Sequence, residues 1–260
     1  MPYSTLLLDR ENEIAVVTLN RPEKRNAISS GMIDDLEGAL AAIESSEARV
    51  AILTGAGTVF CAGMDLEGLR GMASRSFEEN LEDSRRMAVL YHRLYSFPKP
   101  VIAAVNGDAI AGGCGLATLC DFTLAAPQAR FGYTEVRIGF LPALVSIFLV
   151  RQVGEKHARD LLLSGRLVNA EEAQRLGLVS EVVPSEALLA RARELGQALL
   201  ANSPASIETT KRLLLAYAEP ELGRQLERAI EANARIRGGD DFREGVSAFL
   251  EKRKPNWTPK

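Results

Sequence analysis

The sequence predicts an α/β protein, on three observations. Short β-branched runs alternate with amphipathic helical segments as far as Val183. Two strand-to-helix junctions, at 54–66 and 101–121, are rich in glycine and alanine. After Ser185 the strand signal stops and only helical patterns follow.

Residues 6–9 and 14–19 read as strands joined through Glu11-Asn12-Glu13 into a hairpin, and Asn20-Arg21-Pro22 ends the second. Ser29 or Ser30 then caps a helix whose apolar positions Met32, Ile33, Leu36, Leu40 and Ile43 fall at helical spacing. A strand at 50–53 leads through small residues to a helix at 65–72. A second helix, 77–95, is marked by Leu81, Met87, Leu90 and Leu94. The polar, small segment between them, 71–76, is expected to be mobile. The next strand, 101–105, is bounded by Pro98 and Pro100 and followed by an Asn106-Gly107 turn. Ala111-Gly112-Gly113 leads into a buried helix carrying Leu116 and Leu119. A strand at 122–125 follows, residues 131–138 run on towards the site, and Pro142 opens a helix through Val150. Helices at 156–163 and 170–176 and a last strand at 179–183 complete the alternating part. Helices at 204–218, 221–237 and 241–252 have apolar faces that require a partner surface.

Composition excludes several function classes. A net charge of −3 leaves no electrostatic footprint for nucleic acid or an anionic membrane, so neither is expected as a partner. The three cysteines, Cys61, Cys114 and Cys120, form no C-x-x-C and are expected to be small buried apolar residues. The longest apolar run, 140–150, is too short to span a bilayer and is broken by Pro142. The N-terminal MPYSTLLLDREN has no basic n-region, so a reduced, cytoplasmic location is expected. His92 and His157 sit inside helical patterns with no G-x-S-x-G, which argues against a Ser-His-Asp hydrolase. The glycines complete neither G-x-G-x-x-G nor a Walker A loop, so a dinucleotide or ATP site is not expected.

The Gly-Gly junction points instead to anion stabilisation. A strand, a backbone bare of bulk and a helix start leave free N–H groups at the positive end of a helix dipole. Such a place holds a phosphate or a developing oxyanion, although close helix–strand packing gives the same pattern.

Six stretches together are more specific. They are G-x-x-F-C-A-G-M-D-L at 57–66, N-G-x-A-x-A-G-G at 106–113 and C-D at 120–121. The others are F-G-x-x-E-V-x-I-G at 131–139, G-x-x-x-x-A-E-E-A-x-x-L-G-L-V at 165–179 and E-G-x-x-A-F-x-E-K-R at 244–253. In this order, over nearly the whole chain, they resemble the crotonase, or enoyl-CoA hydratase/isomerase, superfamily. The resemblance implies a spiral of ββα units as a catalytic core at 1–200, with a helical oligomerisation region at 201–260. It implies a homotrimer or a hexamer of two stacked trimers. It also implies an acyl-CoA substrate and no separate cofactor or metal, coenzyme A being part of the substrate. The ββα repeats themselves are not visible in the sequence.

Matched residue by residue, the backbone N–H groups of Met64 and Gly112 are implied to hold a thioester enolate, and Glu135 to be the acid–base group. Lys24, Arg25, Ala27, Ala62, Asp65, Leu66, Gly113, Thr134 and Gly139 are implied to line the substrate. For Lys24 and Arg25, a solvated loop is the competing reading. Phe249 and Lys252 fall where relatives bring a neighbouring subunit's residues to the ligand, against which Phe249 reads more simply as core. Burial in a largely apolar pocket should push the pKa of Glu135 upward.

The sequence departs from the two-glutamate pattern at Gly115, where hydratases of that type carry their first glutamate. Water addition uses two groups well, whereas one carboxylate suffices to shuttle a proton from Cα to Cγ. Hydration is the commonest activity among such relatives and is the expectation. Δ3,Δ2-enoyl-CoA isomerisation is the alternative, and acyl-CoA binding without catalysis the third. Asp65, Asp108 and Tyr133 are candidates to replace the missing carboxylate. Asp65 reads better as a helix cap and Asp108 as a turn residue.

Overall fold

The computed structural model describes residues 3–257. The hairpin forms as expected: β1 (Leu6–Glu11) pairs antiparallel with β2 (Ile14–Leu19) around Asn12, whose φ of 55° suits a tight turn. From β2 a parallel sheet grows through β3 (Val50–Gly55), β5 (Val101–Val105), β7 (Phe122–Ala125) and β10 (Glu181–Val182). A second, four-stranded sheet runs β4 (Val59–Cys61), β6 (Asp108–Ile110), β8 (Arg130–Gly132) and β9 (Val168–Asn169), with only β9 antiparallel.

The two sheets interleave along the chain. β3 is followed by β4 and then α2 (Leu66–Met72) and α3 (Phe77–Tyr95); β5 by β6 and α4 (Gly112–Thr118); β7 by β8 and, after a 3-10 turn at Glu135–Ile138, α5 (Ala143–Ser164). This is the implied spiral of ββα units. Its tight β-to-β turns explain two glycines. A Cβ at Gly107 would stand 2.0 Å from the Thr58 carbonyl oxygen, and one at Gly55 would stand 2.7 Å from two backbone oxygens. At Gly107 successive turns of the spiral touch backbone to backbone, and at Gly55 the chain folds back on its own next strand.

The large sheet is buried on both faces, as parallel strands usually are. Ala15, Val17, Ala51, Leu53, Val101 and Ala103 face the main core with α1 (Ser30–Glu44), α3, α4 and α5. Their neighbours Ile14, Val16, Val50, Ile52, Ile102 and Ala104 face α7 (Leu188–Leu200). Each fully buried aliphatic side chain here stabilises by about 1.5–3 kcal/mol. α6 (Ala170–Arg175) lies between β9 and β10 in the chain. The three cysteines are buried free thiols, and burial pushes Cys61 and Cys114 up to about 12.

Several expectations need correction. Asp108 does not sit in a turn: it opens β6 and accepts two hydrogen bonds from Arg130, at 2.9 and 2.6 Å. Helix α7 has no counterpart in the sequence reading. α5 spans both expected helices and is interrupted at Gly154, where φ is 77° and ψ is 161°. The expected break near residue 219 is absent, because α8 (Pro204–Ile236) runs straight through Pro220. An interior proline costs a helix about 3 kcal/mol, which packing on α3 and α5 offsets here. The final helix, α9 (Asp240–Leu250), docks on the 3-10 turn so closely that a Cβ at Gly245 would stand 2.3 Å from the Ile138 carbonyl. After β10 the described residues hold only helices, beginning with a 3-10 turn at Ser185–Ala187 and continuing through α7, α8 and α9, and these pack onto the core.

Candidate active site

A cavity of about 410 Å³ opens where β4, β6 and the 3-10 turn converge under α3, α5 and α8. Exposed Glu23, Lys24 and Arg25 line its mouth, and buried Tyr91, Glu135, Asn233 and Arg237 line its deep part. Apolar groups from Met87, Ile138, Leu141, Leu144 and Val145 form much of the wall between.

The geometry frees two backbone N–H groups beside each other. Ile28 pairs with Met64 as an isolated parallel bridge, in which Ile28 donates to Gly63 O at 2.7 Å and accepts from Asp65 N at 3.0 Å. In a parallel bridge those bonds belong to the residues flanking Met64, so the Met64 N–H points away from Ile28. Gly112 is the first residue of α4, where an N–H has no partner within the helix. Ala111 before it is held at φ 50° and ψ −123°, an unfavourable conformation for a residue with a side chain. Gly63, at φ 87°, brings the two segments together: a Cβ there would be 3.0 Å from Ile110 O and 3.6 Å from Gly112 N.

Glu135 begins the 3-10 turn and is 8% exposed, with Oε2 lacking any hydrogen-bond partner among the described residues. Removal from water penalises the charged carboxylate, so its pKa is raised to about 7; its own backbone N–H opposes the shift only in part. A carboxyl that takes up and releases a proton near neutrality, with one oxygen uncommitted, is suited to acid–base work.

The cavity lining brings together Met64, Gly112 and Glu135 with Lys24, Arg25, Ala27, Ala62, Asp65 and Thr134. The loop carrying Lys24 and Arg25 is shaped by Asn26, fully buried, which accepts from the Arg21 N–H and donates to Ala56 O and Val59 O. Arg25 and Asn26 both have φ of 53°, and Arg25 O accepts from the Ala62 N–H at 3.0 Å. Asp65 caps α2 through the Glu67 N–H and pairs with Arg21 at 2.8 Å, so neither it nor the Arg130-bound Asp108 is free to act as a base.

Gly113 and Gly139, expected among the substrate contacts, are not part of the cavity lining, and their lack of a side chain serves packing. A Cβ at Gly113 would be 2.3 Å from Cys61 O, and one at Gly139 would be 2.2 Å from Asp241 O. Leu66 starts α2 by its backbone, and its side chain lies outside the described part of the structure. Tyr133 is fully buried, its hydroxyl 2.6 Å from Thr118 Oγ1, and it is not part of the cavity lining. Phe249 is 51% exposed and lines this cavity, so the core reading fails for it. Asp121 of the C-D pair is structural: it accepts from the Val101 N–H at 2.7 Å and pairs with Lys211 of α8.

Two features of the site escape a reading of motifs. Tyr91, on α3, is 3% exposed, lines the cavity and donates from its hydroxyl to Gly112 O at 2.9 Å. A Cβ at Gly115 would stand 2.3 Å from that hydroxyl oxygen, so the tyrosine occupies the space a side chain at 115 would need. At another part of the lining, Arg237 is 2% exposed, paired with Asp83 at 2.7 Å and with Asn233 Oδ1 at 2.7 Å, its guanidinium over the Phe140 ring. The sequence signal for this pair is an Asn–Arg spacing of four residues on a buried helix face.

Among the described residues, no group of three acidic, histidine or cysteine side chains could hold a metal ion, and no helix is long and apolar enough to cross a membrane.

Comparisons with known proteins show the family and the fold. A family model described as enoyl-CoA hydratase/isomerase matches residues 9–260. A Thermus thermophilus protein assigned provisionally as an enoyl-CoA hydratase is 47% identical over 248 residues, covering 95% of this chain and 98% of that one. The 2,3-dehydroadipyl-CoA hydratase of Escherichia coli is 37% identical over 256 residues, covering 98% of each. The crystal structure of an enoyl-CoA hydratase/isomerase from Xanthobacter autotrophicus superimposes with a TM-score of 0.88 at 32% identity, covering 96% of this chain and 97% of that one.

Proposed function

The chain belongs to the enoyl-CoA hydratase/isomerase family and has the crotonase fold, and we propose that it adds water across the double bond of a 2-enoyl-CoA thioester, or removes it in reverse. The observation that carries this reading is a buried carboxyl with a pKa near 7, in one cavity with two unclaimed backbone N–H groups.

In this mechanism the thioester oxygen lies between the N–H groups of Met64 and Gly112. Each donor is worth ~2.7–4 kcal/mol as charge develops on that oxygen. Glu135, as carboxylate, takes a proton from water while the water oxygen bonds to Cβ. The double-bond electrons move towards the carbonyl and form the enolate. Glu135 then returns its proton to Cα, the enolate collapses to the thioester, and the carboxylate is restored. The coenzyme A nucleotide lies at the mouth by Lys24 and Arg25, with Ala27, Ala62 and Asp65 along its path. No separate cofactor or metal takes part.

Association into a trimer, or a hexamer of two trimers, is supported by Leu213, Leu214 and Tyr217, which lie exposed on α8. A cytoplasmic setting suits three free thiols. Gly115 favours the second reading, isomerisation by Glu135 alone; a binding-only protein would have no use for a carboxyl tuned to neutrality.

Mixing the purified protein with a 2-enoyl-CoA, and separately with a 3-enoyl-CoA, distinguishes these while ultraviolet absorbance of the conjugated thioester is followed. Hydration makes absorbance fall with the first substrate. A rise with the second and no change with the first would establish isomerisation instead. No change with either would support binding alone.

A further inference from the structure

A hydratase needs its water aimed as well as deprotonated, and Glu135 provides one acceptor for that water. We propose that Tyr91 is a second catalytic residue, whose hydroxyl accepts a hydrogen bond from the attacking water and takes the place a side chain at position 115 would have. The inference rests on the hydratase reading above and answers the question raised by Gly115.

The argument starts from where the hydroxyl hydrogen goes. A phenol has one hydrogen to donate and lone pairs to accept with. Tyr91 gives its hydrogen to Gly112 O at 2.9 Å. Towards the cavity that it lines, the hydroxyl can therefore only accept. Glu135 as carboxylate is also purely an acceptor. A water held by both must direct each of its hydrogens at the protein, which leaves an oxygen lone pair for the substrate's β-carbon. One hydrogen bond leads to the group that takes the proton, and the other fixes the direction of attack.

Tyr91 does not itself carry the proton. Its burial, with the nearby Glu135 charge as a second cause, raises its pKa well above the ordinary phenol value. It stays neutral while Glu135 titrates, so the proton balance of the reaction is unchanged. Position matters as much as chemistry. The Cβ that Gly115 lacks would lie 2.3 Å from the Tyr91 hydroxyl oxygen and 2.8 Å from Cζ. A carboxylate built out from 115 would have to occupy the same volume, so tyrosine and glutamate exclude each other there. Tyr91 also lies 3.4 Å from where a Cβ on Gly112 would be, which sets the hydroxyl beside the residue whose N–H holds the enolate.

The experiment separates water positioning from packing. Tyr91→Phe keeps the ring and removes the hydroxyl. Two rates are followed: hydration of a 2-enoyl-CoA, and exchange of the α-protons of a saturated acyl-CoA in heavy water. Exchange uses Glu135 and the two N–H groups but no attacking water. Hydration is expected to fall by about 100-fold, at least about tenfold more than exchange, with acyl-CoA affinity within a few-fold. An equal fall in both rates would mean that Tyr91 acts only through the oxyanion donors, and an unchanged hydration rate that it only packs; either overturns the proposal. As a second variant, Tyr91→Ala combined with Gly115→Glu should hydrate faster than Tyr91→Ala alone. No recovery in a double variant that still exchanges α-protons would also overturn it. Wild-type protein that hydrates no 2-enoyl-CoA would instead overturn the functional reading beneath it.

Discussion

On one side of the cavity Glu135 presents a carboxyl with Oε2 unpartnered, raised to about 7 by burial. On another, Tyr91 lines the cavity and fills the space that a side chain at position 115, 24 positions later in the sequence, would need. The first group sits inside the motif that supports it, F-G-x-x-E-V-x-I-G, with its turn fixed by Gly139 and α9. The second is delivered by the packing of α3 against α4. Both are buried polar groups in one cavity, yet in the proposed reaction one moves a proton and the other, hydrogen-bonded to Gly112 O and held neutral, can only orient. The difference teaches that, where a motif lacks a side chain, a residue from another helix can place a polar group at that point in space.

That comparison can be broken in several ways. The largest effect belongs to Glu135→Gln, which keeps the shape and removes the proton carrier. Hydration should fall by about 1,000-fold or more, with acyl-CoA affinity measured by calorimetry within a few-fold. A fall below about tenfold would move the acid–base role elsewhere. Gly115→Ala should come next. Its Cβ meets the Tyr91 hydroxyl at 2.3 Å, so hydration should drop by tens of fold. The strain should cost about 1–3 kcal/mol in a denaturant titration. If neither changes, the tyrosine has room to move and the two positions do not compete.

A smaller effect appears in stability. The Glu135 pKa is raised on folding from 4.5 to about 7, so between those values the folded state holds more of this proton than the unfolded chain. Stability therefore decreases as pH rises through that window, relative to a neutral side chain. Glu135→Gln should be more stable than the wild type by about 3 kcal/mol at about pH 8, with the gap closing in acid. Denaturant midpoints at two pH values check this, and a constant gap would show that Glu135 is not desolvated.

How much was legible in the sequence follows the same division. The hairpin, a serine cap at 29 or 30 (Ser29 in the structure), the Asp65 cap and the strands at 50 and 101 were readable because propensity and pattern agreed locally. The second sheet was not. Its strands are two or three residues long, too short for any alternation to register. Continuity of α8 through Pro220 comes from tertiary packing, which local rules do not contain. Within the site, Met64, Gly112 and Glu135 were placed by motif. Tyr91 was hidden as one more large residue on the buried face of α3, a turn after Met87. Gly113 and Gly139 stood in motifs beside site residues, yet their lack of a side chain serves backbone packing.

The most direct test is the pH dependence of kcat/KM for hydration of a 2-enoyl-CoA. Glu135 must be a carboxylate to take the proton of water, and burial places its titration at about 7. The rate constant should rise as pH increases through that value and then level off. A profile flat from about pH 5 to about pH 9, or one already level at the ordinary glutamate range, would contradict the account.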